Sequence, residues 1–465
     1  MTDLEKFMQI FREISSIPRC SGNESQIANW LIHRAESKKY TWNIDSAGNI
    51  SIKVDNGSEK TLALQNHMDM VCEKHNNIKH DFHKDPIKII KDGKWLNADG
   101  TTLGADNGAG MAIALLLADA DISKPNIELV FTVDEERGLV GANNLGDKMI
   151  TGHMLINLDT ETEGEVIIGC AGGRDTLVKK KIDTFDWSNS KNTFSIEVNG
   201  LKGGHSGLDI NKNRYNAIKL LGKALSCIAK NTNIRLIKIE GGNAHNAIPR
   251  YAYAEFVVEE SLVYENLKEI ICNIKAKDYI SIEMLRHNNS YKTIPTQCTK
   301  DILKFIDEVP HGVHSYVPEI DDKVEASSNL AIITMRNGFV EFLVSQRSSD
   351  AERMDNLTLE IENTAKKANM EFTTGNEYPG WTPDTESELL KTVRETYREI
   401  FNREIKVDII HAGLECGIIK EKFRNLDMVS IGPTIENAHS PEERLDLESV
   451  EKILYLLQNT LKKLA

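Results

Sequence analysis

Residues 127–138 read IELVFTVDEERG, a largely apolar run that stops abruptly at three acids and an Arg-Gly turn. Seven residues rich in β-branched and aromatic side chains, closed by polar turn formers, are the pattern of a buried strand. Two similar runs flank it in the chain, Thr61–Gln65 and Met154–Leu158, and the apolar stripe Met111–Ala120 between them has helical length. Strands alternating with helices predict an α/β fold, a mainly parallel sheet covered by helices.

The texture changes from about Thr193. Strand-like FSIEV, a helical segment from Tyr215 to Ala229, and strand-like IRLIKIE and AEFVV read as an inserted α+β unit. A comparable set follows: a helix near Asp301–Glu308, strands near Leu330–Thr334 and Val340–Ser345, and a helix near Asp350–Ala368. The insertion therefore reads as two related halves. After the Gly- and Pro-rich stretch Tyr378–Pro383, the pattern reverts to helix, strand (Ile405–Ile410), helix, strand (Met428–Ile431) and terminal helix. The expected division is a catalytic domain over residues 1–186, a lid over 187–384, and the completion of the catalytic domain over 385–465.

Bulk properties exclude several classes of protein. A chain of 465 residues exceeds one compact core, at roughly 150 residues per domain. Hydrophobic residues at 40% and charged residues at 27% suit a globular chain and not a disordered one. The opening MTDLEKFMQIFREISSIPRC mixes charges among its apolar residues, so it reads as an amphipathic helix and not a signal peptide. No apolar run reaches the roughly 18 residues of a membrane span. The seven cysteines are scattered without a CxxC pair, which argues against a disulfide scaffold or a thiolate zinc site and fits a reducing cytoplasm. A formal charge of −14 disfavours nucleic acid and anionic membranes as partners.

Four clusters of acids or histidines stand directly after strand-like runs: NHMDM (66–70), DEERG (134–138), LDTE (158–161) and ENAHS (436–440). Ligands of open α/β sheets bind beyond the carboxyl ends of the strands, so these clusters are expected to converge. The glycine-rich loop Gly104–Gly110 opens a helix beside them, and it lacks both the Lys-Ser/Thr of a P-loop and the dinucleotide fingerprint. His67 and Asp69, two apart at a strand end, point to one side, so one can bind metal while the other orients it. Glu135 and Glu136 diverge in an extended segment, so one can ligate metal while its neighbour faces a substrate water. His75, His80 and His83 in HNNIKHDFH have no such placement and read as a polar loop.

Taken with DGTTLGADNGAG, GCAGGRDT, LKGGHSG, GGNAHNAIPR, SQRSS, HAGLECG and IGPTIENAHSPEER, all in family order, these segments resemble the zinc metallopeptidases related to aminoacylase and carboxypeptidase G. Within them the likeness is to aminoacyl-histidine dipeptidases of the PepD type, over nearly the whole chain. The resemblance implies two Zn²⁺, replaceable by Co²⁺ or Mn²⁺, with His67, Asp106 and Asp159 on one ion and Asp106, Glu136 and His439 on the other. It implies a hydroxide bridging the ions, Glu135 as general base and acid, Asp69 behind His67, and a cis peptide between Asp106 and Asn107. In the lid it implies His205 and Asn246 at the oxyanion, and Arg347 with the Gly413 backbone at the substrate's carboxylate. The implied activity is hydrolysis of dipeptides, Xaa-His preferred. A tripeptidase, an N-deacylase or a non-catalytic binding protein on the same scaffold remain alternatives, and so does a homodimer beside a single chain whose double-length lid replaces a partner.

Overall fold

The computed structural model describes all residues except 188–191, 260–266, 268, 271–273, 275, 286–290 and 319. Two compact units emerge: residues 1–170, 381–409 and 414–465 form one, and residues 171–380 with 410–413 form the other. The first junction falls at Cys170/Ala171, earlier than the change in sequence texture. The strand Gly172–Lys181 pairs along its length with Phe339–Ser348 of the second unit, which draws those ten residues into that unit.

The first unit is built on an eight-stranded sheet. Its central strands lie in the order Asn126–Thr132, Thr61–His67, Met154–Asn157, Asp427–Ser430 and are mutually parallel. Ile50–Val54 and Thr41–Ile44 extend one side, each antiparallel to its inner neighbour, and Glu165–Cys170, antiparallel to Asp427–Ser430, then Lys406–Ile410 extend the other. The predicted parallel α/β sheet is therefore present at the centre. Its middle strands are buried along almost their whole length, as sheets covered on both faces must be. Parallel pairing sets His67 beside Thr132 and Gln65 beside Asn157, so the carboxyl ends of three strands open at one edge.

The helix Ala105–Asp119 is buried from Ala105 through Ala118. A helix apolar all round is stable only when enclosed, and the helices Asp3–Ser15 and Leu447–Leu464 and the strand Thr61–His67 pack against it. Its first turn also needs glycine: a Cβ on Gly110 would lie 2.5 Å from the Leu158 carbonyl oxygen. The helix start and the end of the 154–157 strand are thereby brought to backbone contact.

In the second unit an antiparallel sheet runs Ile280–Met284, Thr193–Val198, Ala252–Val258, Ile234–Gly241, Val324–Arg336, Phe339–Ser348, Gly172–Lys181, Glu371–Tyr378, with Gly312–Tyr316 against Val324–Arg336. The helices Ala217–Ala229, Thr296–Glu308 and Ala351–Lys367 share one apolar core with it, through residues such as Leu221, Leu225, Phe305, Phe342 and Ile361. Among the described residues no helix is long and apolar enough to cross a membrane.

One feature departs from the reading of the cysteines. Cys20 and Cys72 form a disulfide, with Cα atoms 5.7 Å apart. The scatter of cysteines gave no sign of it, because the partners meet only when the segment at Cys20 bridges in parallel to Met70, beyond a strand end. Cys170, Cys227, Cys298 and Cys416 are free thiols, and Cys272 lies outside the described residues. Closing a loop across 52 positions stabilises a protein by about 2–4 kcal/mol. Cys72→Ser is therefore expected to unfold at lower urea than wild type without reductant, and dithiothreitol should bring wild type down to the variant. Identical midpoints in all three samples would show the two thiols to be unpaired.

Candidate active site

The acids and histidines at the strand ends of the first unit converge. His67 closes its strand, and its Nε2 lies 3.0 Å from Asp106 Oδ1 and 3.3 Å from Asp159 Oδ1. His439 Nε2 lies 3.0 Å from the other Asp106 oxygen, Oδ2, and 3.0 Å from Glu136 Oε1. Among the described residues four groups of ligand atoms each fit within 4.8 Å: His67/Asp106/Asp159, Asp106/Glu136/His439, His67/Glu135/Glu136 and Glu24/Asp69/Asp134. Asp106 belongs to the first two, offering one oxygen to each. Among the described residues no such group includes His75, His80 or His83.

Local backbone explains this convergence. The Asp106–Asn107 peptide is cis, and Asp106 has non-helical angles inside the first turn. Asn107 donates through Nδ2 to the Leu158 carbonyl at 2.9 Å and to Asp159 Oδ1, fixing the helix start against the 158–159 segment. Asp69, fully buried, accepts from the amides of Glu135 at 3.0 Å and Glu136 at 3.3 Å, and lies 3.4 Å from His67 Nδ1. It ties the loop after one strand to the histidine that ends its neighbour. His439 sits at φ +63°, a left-handed turn that aims its ring back at Asp106.

Close packing of acids and histidines perturbs Asp106, His439, His67 and Glu135. Burial alone would raise the Asp106 carboxyl, yet hydrogen bonds from His439 and His67 hold it below the usual range. His439 is pushed up to about 11 by its bonds to Asp106 and Glu136. His67 is raised despite burial, by Asp159, Asp106 and Asp69. Glu135 is raised well above the usual carboxylate value, by burial first and then by Asp159, Glu415 and Glu136 despite the opposing pull of His67. Carboxylates packed this closely need positive charge among them, which protons on the imidazoles supply here and a cation supplies in a metal site.

Further residues shape the site. Glu415, in the HAGLECG segment, is buried, pushed up to about 7 by burial, and its Oε2 accepts from Gln65 and Thr132, both at 2.7 Å. Gln65 lies two before His67 on the same strand face. Glu161 in LDTE is pushed up to about 8, by burial and then by Asp106 and Asp159. Arg19 and Glu443 underlie the cluster from two further segments.

In the second unit the predicted lid residues form their own group. His205 pairs with Ala247 in a short ladder, and the neighbouring Ser206 amide donates to the Asn246 carbonyl at 2.8 Å. His205 Nδ1 accepts from the amides of Gly207 and Leu208, at 3.2 and 3.1 Å. Burial and the charge of Arg347 lower its pKa, so the ring is neutral. Arg347, 6% exposed, donates to Tyr378 Oη at 2.9 Å, while its Nε has no hydrogen-bond partner among the described residues. A Cβ on Gly413 would lie 2.8 Å from the same Tyr378 ring. His411 is buried with Nε2 2.7 Å from Ser327 Oγ, and burial lowers its pKa to about 3.

With this geometry in view, relatives sharpen the reading. Residues 63–463 match the profile of peptidase family M20/M25/M40. The chain belongs to that family. This M20-type peptidase is 38% identical to the cytosol non-specific dipeptidase of Escherichia coli K12, over 98% of this chain and 96% of that protein. It superposes on the crystal structure of aminoacylhistidine dipeptidase from Vibrio alginolyticus with a TM-score of 0.91 at 33% identity, covering 99% of this chain and 96% of that one. A tripeptidase from Staphylococcus aureus shares the fold at 18% identity, with a TM-score of 0.56 over 99% of this chain and 98% of that one. The M20 peptidase fold and the hydrolase class follow from these matches.

Proposed function

We propose that this chain is a metal-dependent dipeptidase acting on unblocked dipeptides, with Xaa-His among its best substrates. The observation that carries the reading is Asp106, whose two oxygens face two different imidazole-carboxylate groups. His67, Asp106 and Asp159 are the proposed ligands of one ion, and Asp106, Glu136 and His439 of the other. Nitrogen and carboxylate donors of this kind suit zinc, with cobalt or manganese as substitutes. When bound, such a pair polarises the scissile carbonyl and acidifies the attacking water. The dipeptide preference draws support from the names of the E. coli and V. alginolyticus relatives. The first of these is named for the cytosol, where we place this chain as well.

Glu135 is the proposed base. It adjoins the proposed ligand Glu136 and its amide is pinned by Asp69, which puts a carboxylate beside the proposed ions to take a proton from water and pass it to the leaving amine. His205 is the proposed oxyanion donor. With Nδ1 accepting two amides, the ring's proton resides on Nε2, and a neutral imidazole offers that N–H without a competing charge. Asn246 is proposed beside it. Arg347 and the Gly413 backbone are the proposed clamp for the free carboxylate of the substrate, since a guanidinium donates two parallel bonds to a carboxylate. The division of labour is thus hydrolysis on the first unit and substrate recognition on the second.

Glu135→Gln should retain its metal content by elemental analysis and lose activity by at least about 10²- to 10⁴-fold, the range for acid–base groups. Asp106→Ala should lose metal instead. Near-normal turnover by the Gln variant would move the base elsewhere.

Hydrolysis of Ala-His, Ala-His-NH₂ and Ala-His-Ala, measured side by side, tests the substrate. Ala-His should be strongly preferred, because the amidated and extended peptides leave Arg347 without a charged partner in a buried setting. Arg347→Ala should raise KM for Ala-His and narrow its advantage. Comparable rates for all three peptides would remove the dipeptidase assignment and leave the hydrolase.

A further inference from the structure

Consecutive backbone amides at the start of the Ala105–Asp119 helix converge on one side chain from a distant part of the sequence. Glu443 Oε2 accepts from Leu103 at 2.7 Å and Gly104 at 2.9 Å, and Oε1 accepts from Ala105 at 2.7 Å and Asp106 at 3.2 Å. Helix starts leave amides unpaired, and a side chain just before the helix usually caps them. Here the turn before the helix is Gly104, which has no side chain to offer. The cap comes from the loop that also carries His439, four residues earlier. One loop therefore grips Asp106 twice, through its amide by Glu443 and through its Oδ2 by His439.

Arg19 grips the same turn from another side. Its Nη1 donates to the carbonyls of Met68 at 3.0 Å and Asp69 at 2.8 Å, and its Nη2 to the carbonyl of Gly104. It thus ties the segment after His67 to the residue before the helix. A Cβ on Gly104 would lie 2.6 Å from Arg19 Nη2, and one on Gly108 2.7 Å from it, so glycine at both positions makes room for the guanidinium. Arg19 and Glu443 are 1% and 2% exposed. A buried arginine and a buried carboxylate are tolerated when each is hydrogen-bonded and the charges offset, and the Glu443 charge is the foremost influence that favours charged Arg19 against its burial.

We propose that Glu443 and Arg19 are positioning residues of the metal centre: they set where Asp106 stands relative to His439 and His67, and so how tightly the second of two ions is held. This rests on the two-metal reading above. Glu443→Gln keeps the shape but places an NH₂ against amide donors, which displaces the Asp106 amide from the loop that bears His439. Residues behind metal ligands typically change affinity by roughly 10- to 100-fold.

The test is titration of metal-free protein with Co²⁺, read as two dissociation constants and as the visible absorption of the cobalt-loaded protein. Glu128→Gln serves as a control. Glu128 is equally buried in the same unit and accepts the Thr151 and Gly152 amides at 2.8 and 3.0 Å, away from the metal centre. Glu443→Gln is expected to weaken the second cobalt constant about tenfold or more and to shift the cobalt bands. Glu128→Gln should lower thermal stability alone. Arg19→Lys, which keeps the charge but not the fork of donors, should weaken cobalt binding in the same direction and replaces Glu443→Gln if that variant fails to fold. Wild-type constants and bands in the folded variant, or losses matched by Glu128→Gln, would overturn the inference while leaving the two-metal reading standing. Wild-type protein taking up fewer than two cobalt ions would overturn both.

Discussion

Asp106 uses both oxygens of one short carboxylate, one toward His67 and one toward His439, each at 3.0 Å. A side chain with so little reach leaves the backbone almost no freedom, so the helix that carries it must start at a fixed place. Much of the first unit serves that requirement. Parallel strands deliver His67 and Asp159 at one sheet edge, Asn107 and Gly110 bring the helix start against Leu158, and the C-terminal loop returns to supply His439. The buried Ala105–Asp119 helix, packed by the first and last helices of the chain, is the rigid mount.

The same crowding sets the electrostatics. Carboxylates within hydrogen-bond distance of the buried His67 and the exposed His439 favour the protonated form of both rings, which shifts both upward. Binding of the proposed ions would displace those protons, which would couple loading to pH. Residues just outside the ligand set respond in the opposite sense. Glu135, Glu161 and Glu415 are pushed toward the neutral form by burial first and by neighbouring carboxylates.

Much of this was legible in the sequence because it is periodic or local. Ile127–Val133 and Thr61–Gln65 announce buried strands, and acids directly after them announce a strand-end site. ENAHS and the Gly104–Gly110 loop stood out beside those strand ends, but the roles of His439 and Asp106 came through family resemblance, since nothing in their spacing says that residues 333 positions apart share an oxygen-to-nitrogen contact. Arg19 and Glu443 escaped because their partners here are backbone atoms, which leave no pattern. The Cys20–Cys72 bond escaped for a similar reason: it depends on how a loop crosses a strand end, not on cysteine spacing. The edge of the second unit was misplaced because Gly172–Lys181 reads like any strand, and only its pairing with Phe339–Ser348 assigns it.

The central claim is that Asp106 joins two ion sites. Anomalous diffraction from crystals soaked in zinc tests it most directly. The account predicts two peaks roughly 3.5 Å apart, the spacing of two-metal hydrolytic sites, one against Asp106 Oδ1 with His67 and Asp159, the other against Oδ2 with Glu136 and His439. A single fully occupied peak, or two peaks neither of which touches Asp106, would contradict it.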